Sequence, residues 1–306
     1  MVKDNNVIKY AAFIITYNRS GIITDTIDQI LKQSIAPQKI LIIDNSDNKD
    51  TEKIIDQLKN PKLEYHYVGY NSGPSGGAYI GLKKLANQDF DWLFWVDDDN
   101  PPAELNLIEK IFDILPLIDS EECGQLGLVG HRFNKWTGEI IRIRDEELKE
   151  KVIEVDTIGG GQCKIISTKV ARLGIFPEKK LFFGFEDLDI DIKIKQAGFK
   201  SYVSGKLLYD SRSGNNRLNY KKSSAMVYDE NTLNRQYYSI RSLLTIFSSN
   251  HYITALLYLS LKKLITLILT FAHGPRPGFN HAKIVFLAYY HFFKGKYGKI
   301  DLNLKM

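Results

Sequence analysis

Trp92-Leu93-Phe94-Trp95-Val96-Asp97-Asp98-Asp99-Asn100 decides how the rest of the chain reads. An unbroken apolar run is wrong for a strand with one wet face and right for a strand of a parallel sheet covered on both sides. Three carboxylates then follow at once. Like charges gathered at the end of a buried strand repel one another, so the fold must supply a cation or leave them in water. Hard oxygen ligands at an open site suit Mn²⁺ or Mg²⁺ completed by substrate phosphates. The competing reading is a solvated acidic loop that caps the chain ahead of Pro101.

Upstream, residues 11–16, 39–44 and 64–68 are similar short runs rich in Ile, Val, Phe and Tyr. Between them lie helical spacings: Ile23, Ile27, Ile30 and Leu31; Ile54, Ile55 and Leu58; Ala78, Leu82 and Leu85. Strands alternating with amphipathic helices predict βαβ units and a parallel sheet. Ligands of such sheets bind beyond the carboxyl ends of the strands. Polar clusters stand there in each case: Tyr17-Asn18-Arg19-Ser20, Asp44-Asn45-Ser46-Asp47 and Asn71-Ser72-Gly73.

Downstream the pattern loosens. It predicts a helix from Pro101-Pro102 to about Leu115, strands at 126–129, 139–143 and 152–156, and a helix start near Ser167-Thr168. A strand and polar loop over 201–219 and a long helix over 231–248 follow. A helix over 187–196 closes at Gly198, a C-cap glycine. It opens on Glu186, Asp187, Asp189 and Asp191, more acids than the helix dipole needs. Beside Phe182, Phe183 and Phe185, one of these carboxylates could serve as a general base with a raised pKa. Gly159-Gly160-Gly161-Gln162 and Gly73-Pro74-Ser75-Gly76-Gly77 lack both the GxGxxG and the P-loop spacing; each reads as a turn, or as backbone that lets a sugar or diphosphate approach.

The 306 residues are 44% hydrophobic and 25% charged, which excludes a disordered chain, a collagen or a disulfide scaffold. The net +5 is unevenly placed. From His251 onward Lys262, Lys263, Arg276, Lys283, Lys294, Lys296, Lys299 and Lys305 face only Asp301. A basic segment attached to a slightly acidic body points to an anionic surface rather than to nucleic acid. Residues 252–272 are apolar, but Lys262 and Lys263 sit near the middle, where each would cost roughly 2.5–3.5 kcal/mol at a bilayer centre. A helix lying in the membrane interface fits better than one that spans; an amphipathic helix packed on the body is the alternative. Phe286, Tyr289, Tyr290, Phe292 and Phe293, followed by lysines, add a second apolar and basic element. Cys123 and Cys163 match no metal-ligand spacing and suit a reducing compartment. The acid and amides of residues 1–6 stand where a signal peptide would be basic.

The ordered motifs Thr16-Tyr17-Asn18-Arg19, Ile42-Ile43-Asp44-Asn45-Ser46, Asn71-Ser72-Gly73 with Gly76-Gly77, Asp97-Asp98-Asp99, and Phe183 to Asp189 with Gly198 resemble family 2 of the inverting glycosyltransferases. Within that family the chain resembles bacterial rhamnosyl- and galactofuranosyl-transferases of surface polysaccharide assembly. The likeness spans roughly residues 10–210, and 289–299 is similar to the C-terminal end of rhamnosyl members. The resemblance implies an α/β, GT-A fold, Rossmann-like, with a mostly parallel sheet flanked by helices. Residues 1–220 would form the catalytic domain, with a nucleotide-sugar half over about 1–100 and an acceptor half over about 101–220. A helical, basic, membrane-associating extension would fill 221–306.

It implies roles as well. Tyr17 would stack on the base, with Thr16, Asn18, Arg19 and Asn71 around the nucleotide sugar; Asp44 would accept from the base and Asp98 bind the ribose. Asp97 and Asp99 would hold Mn²⁺ or Mg²⁺, and Asp210 would replace a histidine that many members use as a further ligand. Asp187 would be the catalytic base, and Gly160, Gly161 and Glu186 would border the acceptor. The implied reaction moves a hexose, galactofuranose or rhamnose favoured, from a UDP- or dTDP-sugar to a hydroxyl of a glycan or lipid-linked glycan. The enzyme would sit in the cytoplasm, peripheral at the inner face of the cell membrane, with the C-terminal helices also offering a surface for self-association. A nucleotidyltransferase would be expected to show a more basic N-terminal loop than Tyr17-Asn18-Arg19-Ser20-Gly21. A scaffold without catalysis would be expected to have lost one acidic cluster.

Overall fold

The computed structural model describes residues 8–161, 163–220 and 230–300, the side chains of Glu230 and Asn231 excepted. Gln162, residues 1–6, Asp301 and Lys305, on which expectations above fall, lie outside the described residues, as does residue 221, where the extension was expected to begin.

The alternation of the first half appears as β1 (Tyr10–Thr16), α1 (Ile23–Leu31), β2 (Lys39–Asp44), α2 (Asp50–Leu58), β3 (Leu63–Tyr67), α3 (Gly73–Leu85) and β4 (Trp92–Asp97). β1 pairs in parallel with β2 and β4, and β2 with β3. Successive strand side chains point to opposite faces. Tyr10, Ala12, Ile14, Ile40, Ile42, Trp92, Phe94 and Val96 therefore share one core with Ile23, Ile27 and Ile30 of α1. Ala11, Phe13, Leu41, Ile43, Leu93 and Trp95 share the other with Ala78, Leu82 and Leu85 of α3. Both faces are dry, as the unbroken apolar runs require.

The second half continues with α4 (Leu107–Phe112), β5 (Cys123–Gly127), β6 (Gly130–Asn134), β7 (Glu139–Arg142), β8 (Val152–Val155), β9 (Thr157–Ile158), β10 (Lys164–Ser167), α5 (Thr168–Arg172), α6 (Glu186–Gln196), β11 (Lys200–Ser204) and α7 (Gly205–Gly214). β10 lies antiparallel between β4 and β5 and joins both halves in one eight-stranded sheet, ordered β3-β2-β1-β4-β10-β5-β11-β8. β7, β6 and β9 form a small second sheet. This is a mostly parallel α/β sheet flanked by helices, as expected.

Two local expectations fail and one strand, β10, is unforeseen, while the helix start at Ser167-Thr168 is met by α5. The helix after Pro101-Pro102 begins only at Leu107. β10 stands just before the expected helix start at Ser167-Thr168, its four residues hidden behind the glycines. The polar loop after β11 is instead α7, whose start is capped by the Ser204 hydroxyl accepting from the Leu207 N–H, and which buries Leu208 and Arg212. A polar composition conceals a helix when its few inward residues carry the packing.

Finally α8 (Glu230–Ser249), α9 (Ile253–Ala272) and α10 (Pro275–Phe293) pack on the outer side of α6 through Leu233, Tyr237, Ile240, Leu244 and Ile284 against Leu188 and Ile192. α9 is turned inside out. Ser260, Lys263, Thr266 and Thr270 do share a side, and it faces inward: Ser260 accepts from the Tyr289 hydroxyl at 2.8 Å, and Thr270 is buried. Leu257, Leu261, Leu264, Ile265, Ile268 and Leu269 are exposed.

Candidate functional site

The carboxyl ends of β1 and β4 open into a cavity of about 510 Å³ whose opposite wall is the loop before α6, with Phe182, Phe183 and Glu186. That loop is drawn in tightly. The Phe182 carbonyl accepts from Ser75 N–H, and a Cβ on Gly73 would lie 2.1 Å from it, so only glycine fits where α3 begins. Phe182 and Phe185 take left-handed backbone, φ 68° and 66°, which turns the chain sharply into α6 and aims its first turn at the cavity.

The acids at the rim are not equivalent. Asp98 is buried, accepts from the Thr16 hydroxyl at 2.6 Å and pairs with Arg19 at 2.9 Å; burial still pushes its carboxyl above the usual range. Asp99 also pairs with Arg19. Asp97 is pushed up to about 6, by burial first and then by the charges of Asp99, Asp98 and Asp187. Glu186 is pushed up to about 8 by burial and the adjacent Asp187, and its Oε2 has no hydrogen-bond partner. The cavity is thus short of positive charge. A Cβ on Gly161 would lie 2.8 Å from Asp97 Oδ2, so glycine keeps the space beside that oxygen open. Unpaired hard oxygens, a charge deficit and room beside Asp97 fit a divalent cation held by one or two carboxylates and by substrate. Among the described residues no three His, Cys, Asp or Glu side chains cluster to enclose a metal. Asp210 stands apart: it is on α7, pairs with Lys206 at 2.5 Å and does not line this cavity.

Asp187 opens α6 with its Oδ1 accepting from the Leu188 N–H at 2.8 Å. Its charge raises the pKa of Asp97, Glu186, His131 and the buried Asp191 alike. His131 belongs to a second cavity of about 510 Å³ that begins at Asn100 and Gly161 and includes Arg142, Arg212 and Arg217. Burial, followed by the charge of Arg212, lowers the His131 pKa. Asp187 follows Glu186, which lines the first cavity, in the first turn of α6.

Of the expected nucleotide residues, Thr16, Tyr17, Arg19, Asn71, Asp97 and Asp98 line the first cavity. Asn18 does not: its side chain exchanges hydrogen bonds with Asp47, holding the loop. Asp44 is fully buried behind the rim, with its oxygens accepting from Ser46 N–H and the Tyr65 hydroxyl, which places it as a brace rather than a wall. Gly160 packs beside Trp95, and Gly161 lies at the junction of the cavities. The remaining acids of α6 are structural. Asp189 accepts from Glu178 N–H and pairs with Lys193. Asp191 lies in the core, paired with Lys164 at 2.5 Å, and both are fully buried.

Lys164 and Arg235 went unnoticed in the sequence. Arg235 of α8 lines the first cavity, a contribution from outside the motif-bearing region. The Lys164 ammonium donates to the carbonyls of Ile158 and Asp187 as well as to Asp191. It ties the first turn of α6, which bears Asp187, to the strand before the glycines. A lysine inside Cys163-Lys164-Ile165-Ile166, with an acid at an inward position of α6, was the available signal.

Residues 11–120 match the family described as Glycosyl transferase family 2. Galactofuranosyltransferase GlfT1 of Mycolicibacterium smegmatis is 22% identical over 102 residues, 33% of this chain and 33% of that protein. GlfT1 of Mycobacterium tuberculosis H37Rv is 19% identical over 199 residues, 61% of this chain and 64% of the relative, so the matches span less than two thirds of either relative's length. Among solved structures, GalNAc-T7 with UDP, GalNAc and Mn²⁺ superposes with a TM-score of 0.57 at 15% identity, over 80% of this chain and 48% of that one. The mannosyltransferase PcManGT from Pyrobaculum calidifontis, in complex with GDP-Man and Mn²⁺, gives 0.51 at 12% identity, over 94% and 83%. These likenesses carry the GT-A fold.

Proposed function

We propose that this chain, which carries a family 2 glycosyltransferase domain on a GT-A fold, transfers a hexose from a nucleoside diphosphate sugar to a hydroxyl of a glycan or lipid-linked glycan, with inversion. The observation that carries this reading is the cavity at the carboxyl ends of β1 and β4, lined by Tyr17, three aspartates and Glu186, the last from the turn of α6 that also bears Asp187. Tyr17 offers the base a stacking surface, and Arg235 lines the same cavity, where it would meet the diphosphate, while Arg19 pairs with Asp98 and Asp99. Asp187 takes the proton of the acceptor hydroxyl as that oxygen attacks the anomeric carbon from the face opposite the diphosphate. One proteinic base suffices, because the leaving diphosphate needs charge stabilisation rather than a proton. Asp97 and Asp99 would hold Mn²⁺ or Mg²⁺, which when bound supplies Lewis-acid stabilisation of that charge. The GlfT1 likeness favours galactofuranose as the sugar, and the motif resemblance leaves rhamnose as the second candidate. Offering UDP-galactofuranose, dTDP-rhamnose, UDP-galactose and UDP-glucose with Mn²⁺ and a lipid-linked glycan should release one nucleotide preferentially and yield a product of inverted anomeric configuration by NMR. Release from none of them, or a retained configuration, counts against the reading.

The inside-out α9 supports a place on an anionic membrane at the cytoplasmic face. Its exposed leucines and isoleucines join Phe279, Phe286 and Phe293 of α10, too much apolar surface for water alone. Lys262 is not free for lipid, since it pairs with Glu139 at 2.8 Å. Leu261→Glu with Leu264→Glu should abolish cosedimentation with phosphatidylglycerol vesicles and leave transfer to a soluble acceptor intact. Unchanged vesicle binding, or a wild type that buries this face in a dimer by ultracentrifugation and ignores vesicles, sinks the idea.

A further inference from the structure

The chain after α10 turns back to the first cavity. Gly298 N–H donates to the Lys180 carbonyl, and Lys180 lies 5.2 Å from the Tyr297 ring centroid. Arg241, fully buried on α8, uses one guanidinium nitrogen to reach the Leu181 and Gly298 carbonyls, each at 3.1 Å. The Tyr238 hydroxyl exchanges hydrogen bonds with the backbone of Ile300. These contacts fasten residues 296–300 to the loop carrying Phe182 and Phe183, one wall of the cavity. The same segment touches the opposite wall, because the Lys299 ammonium lies 5.9 Å from the centroid of Tyr17, within cation–π range. Asp47, which accepts from the Tyr17 hydroxyl at 2.8 Å, is held below the usual carboxylate range by Asn18, Tyr17 and, further down, Lys299.

We propose that residues 295–300 form a bracket of the donor site, which joins its two walls and sets its opening, and that Lys299 is a positioning residue holding the Tyr17 ring for the base of a nucleoside diphosphate sugar. This rests on reading the first cavity as the donor site. A cation over the ring and a carboxylate on its hydroxyl remove two freedoms that stacking would otherwise have to remove, so pre-organisation lowers the cost of binding. The bracket also accounts for Arg241, a buried guanidinium that packs on Tyr237 and Tyr238 and closes on carbonyls of both segments. A basic segment legible as a membrane anchor thus places at least one of its lysines at the nucleotide.

Calorimetry with UDP, dTDP and GDP in turn, each with Mn²⁺, identifies the nucleotide that the wild type binds. Lys299→Ala should then weaken it about two- to fivefold, the scale of an exposed cation–π contact. Lys299→Glu should weaken it more and Lys299→Arg should restore it. Donor KM should rise in step while kcat, acceptor KM and melting temperature hold, a split that a merely structural role would not produce. Bound nucleotide should also slow tryptic cleavage after Lys296 and Lys299, read by mass spectrometry. Nucleotide binding by the wild type with unchanged affinity in Lys299→Glu overturns the bracket alone. A wild type that binds none of the three nucleotides overturns the donor-site reading with it.

Discussion

Asp187→Asn should lower turnover by about 10²-fold or more while nucleotide affinity stays near that of the wild type. The amide keeps the Oδ1 acceptor for Leu188 N–H and the shape of the first turn of α6, so the fold should hold. What it loses is the ability to take a proton. Because Asp187 does not line the first cavity, the proposed donor site, calorimetry should scarcely register the change. Glu186→Gln is the matched control. Glu186 lines the first cavity, and burial and the charge of Asp187 push its carboxyl up to about 8, so on this reading it stands beside the donor rather than serving as the base for the acceptor. Its amide should therefore alter kcat far less. Equal losses in the two variants, or a larger loss for Glu186→Gln, would transfer the base to Glu186 and refute the assignment.

The two acidic clusters show what a sequence can and cannot disclose. Asp97, Asp98 and Asp99 declared themselves because they stand at the carboxyl end of a strand buried on both faces, where a parallel sheet opens its ligand crevice. The acids of α6 share one helix, and helical spacing says which pair shares a face but not which face meets the core. The tertiary fold turned Asp191 onto Lys164 and Asp189 onto Glu178 and Lys193, and left Glu186 and Asp187 at the site. Long-range pairing is likewise why β10 escaped notice, since a four-residue strand is specified by β4 and β5 rather than by its own pattern. In α9 the spacing of Ser260, Lys263, Thr266 and Thr270 was legible, and its direction was not. The return of residues 295–300 to Tyr17 has no local signal at all, for it depends on the geometry of three helices packed on α6.

Lys164→Met should cost about 3–5 kcal/mol of stability, the usual penalty for leaving one member of a buried ion pair without its partner. Asp191 would remain in the core accepting from Thr157, Ile158 N–H and Gln125, without a counter-charge. Adding Asp191→Asn should recover much of the loss. Its carbonyl can keep the Thr157 and Ile158 donors, and once the Gln125 side-chain amide flips, so that Oε1 replaces the Nε2 that now donates to Asp191, the new amide can donate to it. Activity should not follow stability. In both variants the Asp187 and Ile158 carbonyls lose the ammonium that fastens the base-bearing turn beside the glycines, so kcat should stay low in the double variant even where denaturant unfolding shows the fold restored. A displacement of the base by about 1 Å is enough for a loss on the order of 10²-fold. If kcat returns together with stability, Lys164 is a core ion pair and nothing more; if it stays low while unfolding returns to normal, the lysine sets the position of the base.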